Sequence, residues 1–279
     1  GCSTSLFLSQ RKIPHIILEK SVFPRDKICG DALSGKVVEV LKKYDEKIIH
    51  EMASHPEEFL GSWGVTFVAP NGKALEIPFK QNISNEPHAP GFISRRTHFD
   101  HFLVKHLDPA YSQLITETEV TKIERINGKI RVTYLHKGTE NTLLCDVIVG
   151  SDGDRSVVEK TFVRRPVEPQ HYCAGIRAYY KNVTGLHPKN FIELHFLDEL
   201  LPGYFWIFPL GDGSCNVGAG MLSKQVSRNK VNLKAQMLKA IAENPNIRER
   251  FAHAVPEGKI EGWGLPLGSK KRSLSGDHY

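Results

Sequence analysis

The feature that most narrows the fold of this chain is a run of three aliphatics, Ile16-Ile17-Leu18, lying between Pro14 and Glu19. Consecutive aliphatics behind a helix breaker predict a strand buried on both faces, as in a parallel sheet covered by helices. The preceding segment, Gly1 to Lys12, begins with small residues and continues into Leu6, Phe7 and Leu8, which predicts a helix. Helix then buried strand is one half of a βαβ unit, and a second such unit is expected over 147–162. There Val147-Ile148-Val149 should form a buried strand, with a helix beginning near Arg155.

Between these units the pattern changes to hairpins. Asn71-Gly72 and Asn127-Gly128 each lie between alternating segments, the strongest short-range hairpin signal. The second joins strands expected over Val120–Ile126 and Lys129–Leu135, with a third strand following. Further helices are expected over Lys36–Tyr44, Arg96–Leu107 and Asn229–Glu243. Strands are expected over Tyr204–Pro209, Ser214–Gly220 and Gly258–Leu267. Interleaving of the two patterns predicts an α/β protein: a Rossmann-like nucleotide-binding domain with an antiparallel-sheet domain inserted into it. The boundaries follow as 1–59 and 95–165 for the first and 60–94 and 166–266 for the second. Residues 267–279 would start the return to the first.

With 279 residues, 40% of them hydrophobic, the chain is large enough for two cores. A net charge of +6 is scattered rather than gathered into a basic run with aromatics, which speaks against a nucleic-acid groove. Mild basicity fits a phosphate-bearing cofactor or peripheral contact with an anionic membrane surface. Five cysteines without a CxxC pair argue against a zinc site or dithiol motif and suit a reducing, cytoplasmic setting. No apolar stretch reaches the ~18 residues of a membrane span.

Five segments carry candidate chemistry. Gly1 opening a helix and Glu19 closing a strand have the geometry of a dinucleotide site, where an acid binds ribose hydroxyls; an ordinary helix and strand with an exposed acid would read alike. The charged loop Phe23–Asp31 contains Gly30, which would let main chain approach a ligand, or it is a solvated loop. Two cations, Arg95 and Arg96, stand at a helix N-terminus and oppose the macrodipole. A cofactor pyrophosphate would offset them, and an Arg96–Asp100 ion pair is the rival account. Gly150–Ser156 follows the expected second strand, so Asp152 and Gly153 stand where sugar and phosphate bind in α/β sheets, or they form a generic turn. Tyr204, Trp206 and Phe208 should share one strand face, giving either sheet core or a platform for a large apolar ligand.

Together these segments resemble the geranylgeranyl reductase family of FAD enzymes, which fold like p-hydroxybenzoate hydroxylase. FPRDKICGDALS (23–34) is similar to its Lys-x-Cys-Gly loop, RTHFD (96–100) to its Arg-x-x-Phe-Asp element, and GSDGDRS (150–156) to its Asp-Gly motif. YFWIFPLGDGSCNVGAG (204–220) is similar to its YxWxFP and downstream GxG pattern. The resemblance implies that Gly1, Glu19, Lys20, Arg96, Asp152 and Gly153 hold FAD, and that Lys27, Cys29 and Gly30 border the isoalloxazine. It implies an apolar substrate channel lined by Tyr204, Trp206, Phe208, Pro209, Gly218 and Gly220. The implied activity is reduction of isoprenoid C=C bonds, with NAD(P)H or another donor reducing the flavin. No residue is assigned as proton donor. A monooxygenase or halogenase on the same scaffold, or a non-catalytic lipid- or nucleotide-binding protein, are the alternatives. The family's glycine fingerprint would begin ahead of Gly1, and its Gly-Asp motif would lie beyond Tyr279, for Gly276-Asp277 is a weak stand-in. The chain is therefore read as a fragment cut at both ends, which would bind flavin poorly as it stands.

Overall fold

The computed structural model describes residues 1–82, 86–163, 168–269 and 273–277. In chain order the elements begin with α1 (Cys2–Gln10), β1 (His15–Leu18), β2 (Ala32–Leu33), α2 (Gly35–Tyr44) and α3 (Glu46–Ser54). Next come β3 (Leu60–Ser62), β4 (Gly64–Val68), β5 (Ala74–Pro78), β6 (Gly91–Ile93), α4 (Arg96–Lys105) and β7 (Ser112–Ile115). A meander follows, β8 (Thr118–Ile126), β9 (Lys129–His136) and β10 (Thr139–Cys145), and then α5 (Val157–Phe162). The chain continues through β11 (Tyr172–Lys181), β12 (Ile192–His195), β13 (Gly203–Pro209) and β14 (Ser214–Leu222). It finishes with α6 (Ser223–Asn229), α7 (Leu233–Glu243) and β15 (Val255–Pro266). Two compact units result. One comprises Gly1–Arg25, Asp100–Glu168 and Gly268–Tyr279, the other Asp26–Phe99 and Pro169–Leu267. The boundary expected at 165/166 lies outside the described residues, as does part of the expected return over 267–279.

In the first unit β1 pairs in parallel with β7, from His15 opposite Ser112 to Leu18 opposite Ile115. Helix α1 is tied to β1 by the Ser5 hydroxyl, which donates to His15 Nε2 at 2.6 Å. His15 Nδ1 in turn donates to the Ile13 carbonyl at 2.8 Å, and this fixes the tautomer. The meander turns at Asn127 and Gly128, whose φ angles of +49° and +73° are those of a primed hairpin turn. Ile123, Ile130, Val132 and Val158 form its core, with Leu18 packed against them.

Three expectations need correction. Among the described residues strand β1 is not buried on both faces, since Ile16 is 50% exposed. The segment 147–149 is not a strand. It has no ladder partner among the described residues, and Val147 and Val149 stay 61% and 56% exposed. The helix expected over Asn229–Glu243 is two helices. Lys230 adopts a left-handed conformation (φ +51°) that ends α6, and the Asn232 side chain accepts from Ala235 N at 3.1 Å to start α7 afresh. Helix α3 was not anticipated; it opens at Asp45, which accepts from Lys47 N at 2.9 Å, and it buries Ile48, Ile49 and Met52.

The second unit is built on a seven-stranded sheet in the order β15-β11-β14-β13-β12-β4-β5, antiparallel except for β12 beside β4. A smaller sheet, β2-β6-β3, accompanies it. One face of the large sheet presents Phe205, Ile207, Cys215, Val217 and Ala219 to Leu233, Met237 and Ala240 of α7. Full burial of Phe205 or Ile207 contributes about 1.5–3 kcal/mol each. On the same face Glu193 is gripped by Arg250 through both oxygens, with Nη2 at 2.8 Å from Oε1, and His195 Nε2 donates to it at 3.0 Å. Burial pushes the Glu193 carboxyl up, but the bonds from Arg250 and His195 outweigh it and hold the group below its ordinary value. No described helix is long and apolar enough to cross a membrane.

Removing one partner strands the other as a buried charge. Arg250→Ala should lower unfolding free energy by about 3–5 kcal/mol in urea titrations, whereas the pair Glu193→Met/Arg250→Met should recover most of that loss.

Candidate functional site

Alternation along β13 divides its side chains as the sequence implied. Phe205 and Ile207 enter the α7-covered core, and Tyr204, Trp206 and Phe208 occupy the other face. Successive rings on that face lie 6.1 Å apart by centroid. Their exposure differs: Trp206 and Phe208 are buried, and Tyr204 is 38% exposed. Pro209 closes the strand and is buried too.

Register explains how an indole fits on a crowded sheet. Across β11, β14 and β13 the rows are Tyr179–Asn216–Phe208, Arg177–Gly218–Trp206 and Gly175–Gly220–Tyr204. A Cβ on Gly218 would come within 2.2 Å of Trp206 Cζ2 and 2.3 Å of the Ile176 carbonyl. The ring therefore occupies the space Gly218 leaves free. Above Gly220 there is room, since its nearest neighbour would be 3.6 Å away.

The loop 26–31 closes onto this face. A Cβ on Gly30 would meet Phe208 Cε2 at 3.2 Å and Trp206 Nε1 at 3.9 Å. Asn216, fully buried, joins loop to sheet: its Oδ1 accepts from Trp206 Nε1 at 2.9 Å, and its Nδ2 donates to the Cys29 carbonyl and to Asp31 Oδ2, each at 2.8 Å. Asp31 Oδ2 also accepts from the Tyr179 hydroxyl at 2.7 Å. The Tyr179 ring lies between two guanidinium groups, Arg95 at 4.1 Å and Arg177 at 4.5 Å from its centroid. Arg95 is neutralised by Asp212 and Glu257, and Arg177 by Asp26 and Glu261. For Arg95, then, the offsetting anions come from the protein itself. Lys27 projects into solvent, and the Cys29 side chain is half-buried.

The first unit gathers a separate set. Helix α1 begins at Gly1 without a side-chain cap, and a Cβ there would lie 3.8 Å from that of Ser151. Glu19 follows the carboxyl end of β1 and accepts from Ser21 N at 2.9 Å and from Arg25 Nη2 at 3.2 Å. Arg25 also donates to Asp100 at 2.8 Å. Lys20 pairs with Glu119 at 2.6 Å on the surface. Asp152 Oδ2 accepts from Val157 N at 2.6 Å and so caps the start of α5, and Gly153 has φ +76° with open space around it. Arg96 is the first residue of α4.

A helix start beside the 150–156 turn, with an acid at the end of the adjoining strand, fits the phosphate and ribose of a dinucleotide. Among the described residues no group of three or more His, Cys, Asp or Glu is arranged to hold a metal ion. Sequence reasoning passed over Arg25, Asp31, Tyr179 and Asn216. The usable signal for Asn216 was a lone amide in register with Gly218 and Gly220 on an otherwise apolar strand.

Gly218→Ala should destabilise the fold by about 1–3 kcal/mol and shift Trp206 fluorescence, because the indole must move. Gly220→Ala, with room for its methyl, should change stability by less than about 0.5 kcal/mol in the same denaturation experiment.

The family model for the FAD binding domain matches residues 1–187, and that for the geranylgeranyl reductase catalytic domain matches 172–255. The chain is 28% identical over 214 residues to a menaquinone reductase of Mycolicibacterium smegmatis, covering 75% of this chain and 49% of the relative. It is 28% identical over 221 residues to a digeranylgeranylglycerophospholipid reductase of Methanocaldococcus jannaschii, covering 77% and 52%. The chain thus spans about half the length of these curated relatives. Among solved structures, a geranylgeranyl bacteriochlorophyll reductase-like protein of Thermoplasma acidophilum superposes with a TM-score of 0.76 at 18% identity, over 95% of this chain and 63% of that one. A flavin-dependent brominase mutant gives 0.79 at 19%, over 95% and 65%. At those identities the likeness shows the fold, an FAD-binding α/β architecture with antiparallel sheets, and the family matches carry the rest. The chain belongs to the FAD-binding-domain family, and its residues 172–255 match the geranylgeranyl reductase catalytic domain.

Proposed function

We propose that the protein is an FAD-dependent reductase of C=C bonds in an isoprenoid lipid, fed by NAD(P)H or another electron donor. The observation that carries this reading is the sheet face on which Trp206 lies over Gly218, Tyr204 stands half-exposed beside the open ground of Gly220, and the Gly30 turn closes one side. Such a surface suits a long apolar chain, which gains dispersion and burial along its length and needs few hydrogen bonds. Bound and reduced, FAD supplies the hydride for one alkene carbon, while a proton adds to the other.

The protein's own groups have three tasks in this account. Gly1 and the α1 N-terminus would meet the pyrophosphate, Glu19 the ribose, and Arg96, Asp152 and Gly153 the remaining polar groups. Lys20 would add a cation near the adenosine end. The turn at Lys27, Cys29 and Gly30 would border the isoalloxazine. Tyr204, Trp206 and Phe208, with Pro209 at the strand end and Gly218 and Gly220 beneath, would orient the lipid and exclude water. Similarity to reductases of menaquinone and of digeranylgeranylglycerophospholipid supports the isoprenoid substrate. An apolar substrate of this size also favours peripheral contact with a membrane surface.

Anaerobic reduction of the purified flavoprotein, followed by mixing with polyprenyl lipid or with O₂, tests the reading. Rapid reoxidation by lipid is expected; rapid formation of a hydroperoxyflavin with O₂ and none with lipid would assign the scaffold to oxygenation. Tyr204→Ala, which removes the exposed ring, should raise KM for lipid about tenfold, a loss of some 1.4 kcal/mol, with FAD content unchanged.

A further inference from the structure

The buried carboxyl of Asp31 is not used by the chemistry above. Its residue is fully buried, and its backbone is held in the left-handed region at φ +65°. The Asp31 carbonyl accepts from Ser94 N at 3.0 Å. The two carboxyl oxygens differ sharply. Oδ2 takes two bonds, from Tyr179 and Asn216, whereas Oδ1 is shut off from solvent and has no partner among the described residues. A buried carboxylate with one bare oxygen is poorly supported, since half of its charge is desolvated without a donor. A proton on Oδ1 removes the buried charge, leaving the smaller cost of a neutral hydroxyl, and Oδ2 can still accept both bonds.

The charged and titratable groups around it do not reverse this. From β11, Arg177 is committed to Asp26 and Glu261, and Tyr179 presents its hydroxyl to Oδ2. Asp26, in the same loop, adds negative charge. We propose that Asp31 is a latch for the 26–31 loop: holding a proton, it ties the Cys29–Gly30 turn to the Trp206–Phe208 face, and losing it loosens that tie. Only the purpose of the latch, keeping a flavin-bordering turn in register with the lipid surface, rests on the function proposed above.

Burial raises the Asp31 carboxyl from its ordinary 3.8 to about 6, against the opposing bonds from Asn216 and Tyr179. The folded state therefore holds this proton more tightly than the unfolded chain does. The stability Asp31 contributes is fully present below its ordinary value and is lost as pH rises through about 6.

The test is hydrogen exchange of the 27–33 amides, corrected for intrinsic pH dependence, on the protein without lipid or reductant. In the wild type, protection should fall about tenfold from about pH 5 to about pH 7. Asp31→Asn, neutral at every pH, should keep the higher protection throughout, and Asp31→Ala should lack it throughout. Tyr179→Phe, which removes a donor to the ionised form, should move the midpoint to higher pH. In infrared difference spectra between wild type and Asp31→Asn, a protonated-carboxyl band should fade over the same range. A pH-flat wild type, a fall that persists in Asp31→Asn, or absence of that band would overturn the latch. None of these readouts depends on what substrate the protein reduces, so failure here is separate from failure of the functional reading.

Discussion

The second unit depends on one amide. Asn216 uses three hydrogen-bonding positions at once: it accepts from the Trp206 indole and donates to the Cys29 carbonyl and to Asp31. It is fully buried, so a missing partner would leave a desolvated polar group, costing about 1–3 kcal/mol. The amide sets the rotation of the indole and the height of the 26–31 turn above the sheet.

Around that amide the sheet supplies shape and the loop supplies charge. Glycine at 218 makes room for the ring, and glycine at 220 leaves open ground beside Tyr204. The Arg95–Tyr179–Arg177 stack is neutralised by four carboxylates, which allows two guanidinium groups to lie so far inside. In the first unit Arg25 has a comparable place, bridging Glu19 at the end of β1 and Asp100 on α4. Such a bridge presets the carboxylate that the dinucleotide reading assigns to ribose, because a restrained side chain has less rotamer freedom to lose on binding.

Local signals were legible where a short segment determines its own conformation. The two Asn-Gly turns, the α1–β1 pair, the α4 periodicity and the alternation of β13 all follow from spacing alone. What failed depended on partners elsewhere in the chain. Ile16 and Val147–Val149 look like buried strand by composition, but burial is conferred by neighbouring strands, which composition does not report. The break at Lys230 was hidden because a single left-handed residue outweighed continuous helical periodicity. Asp31 and Asn216 both fall inside motifs that drew notice for their glycines and aromatics. Their importance comes from contact between positions 185 residues apart, which no window of sequence contains.

A double-mutant cycle between Asn216→Ala and Trp206→Phe, read as unfolding free energy in urea, bears most directly on this account. If the amide and indole act as one unit, the loss in the double mutant should fall short of the sum of the two single losses by about 1–3 kcal/mol. Losses that add to within about 0.5 kcal/mol would mean the indole is held by packing alone, and the central role given to Asn216 would be wrong.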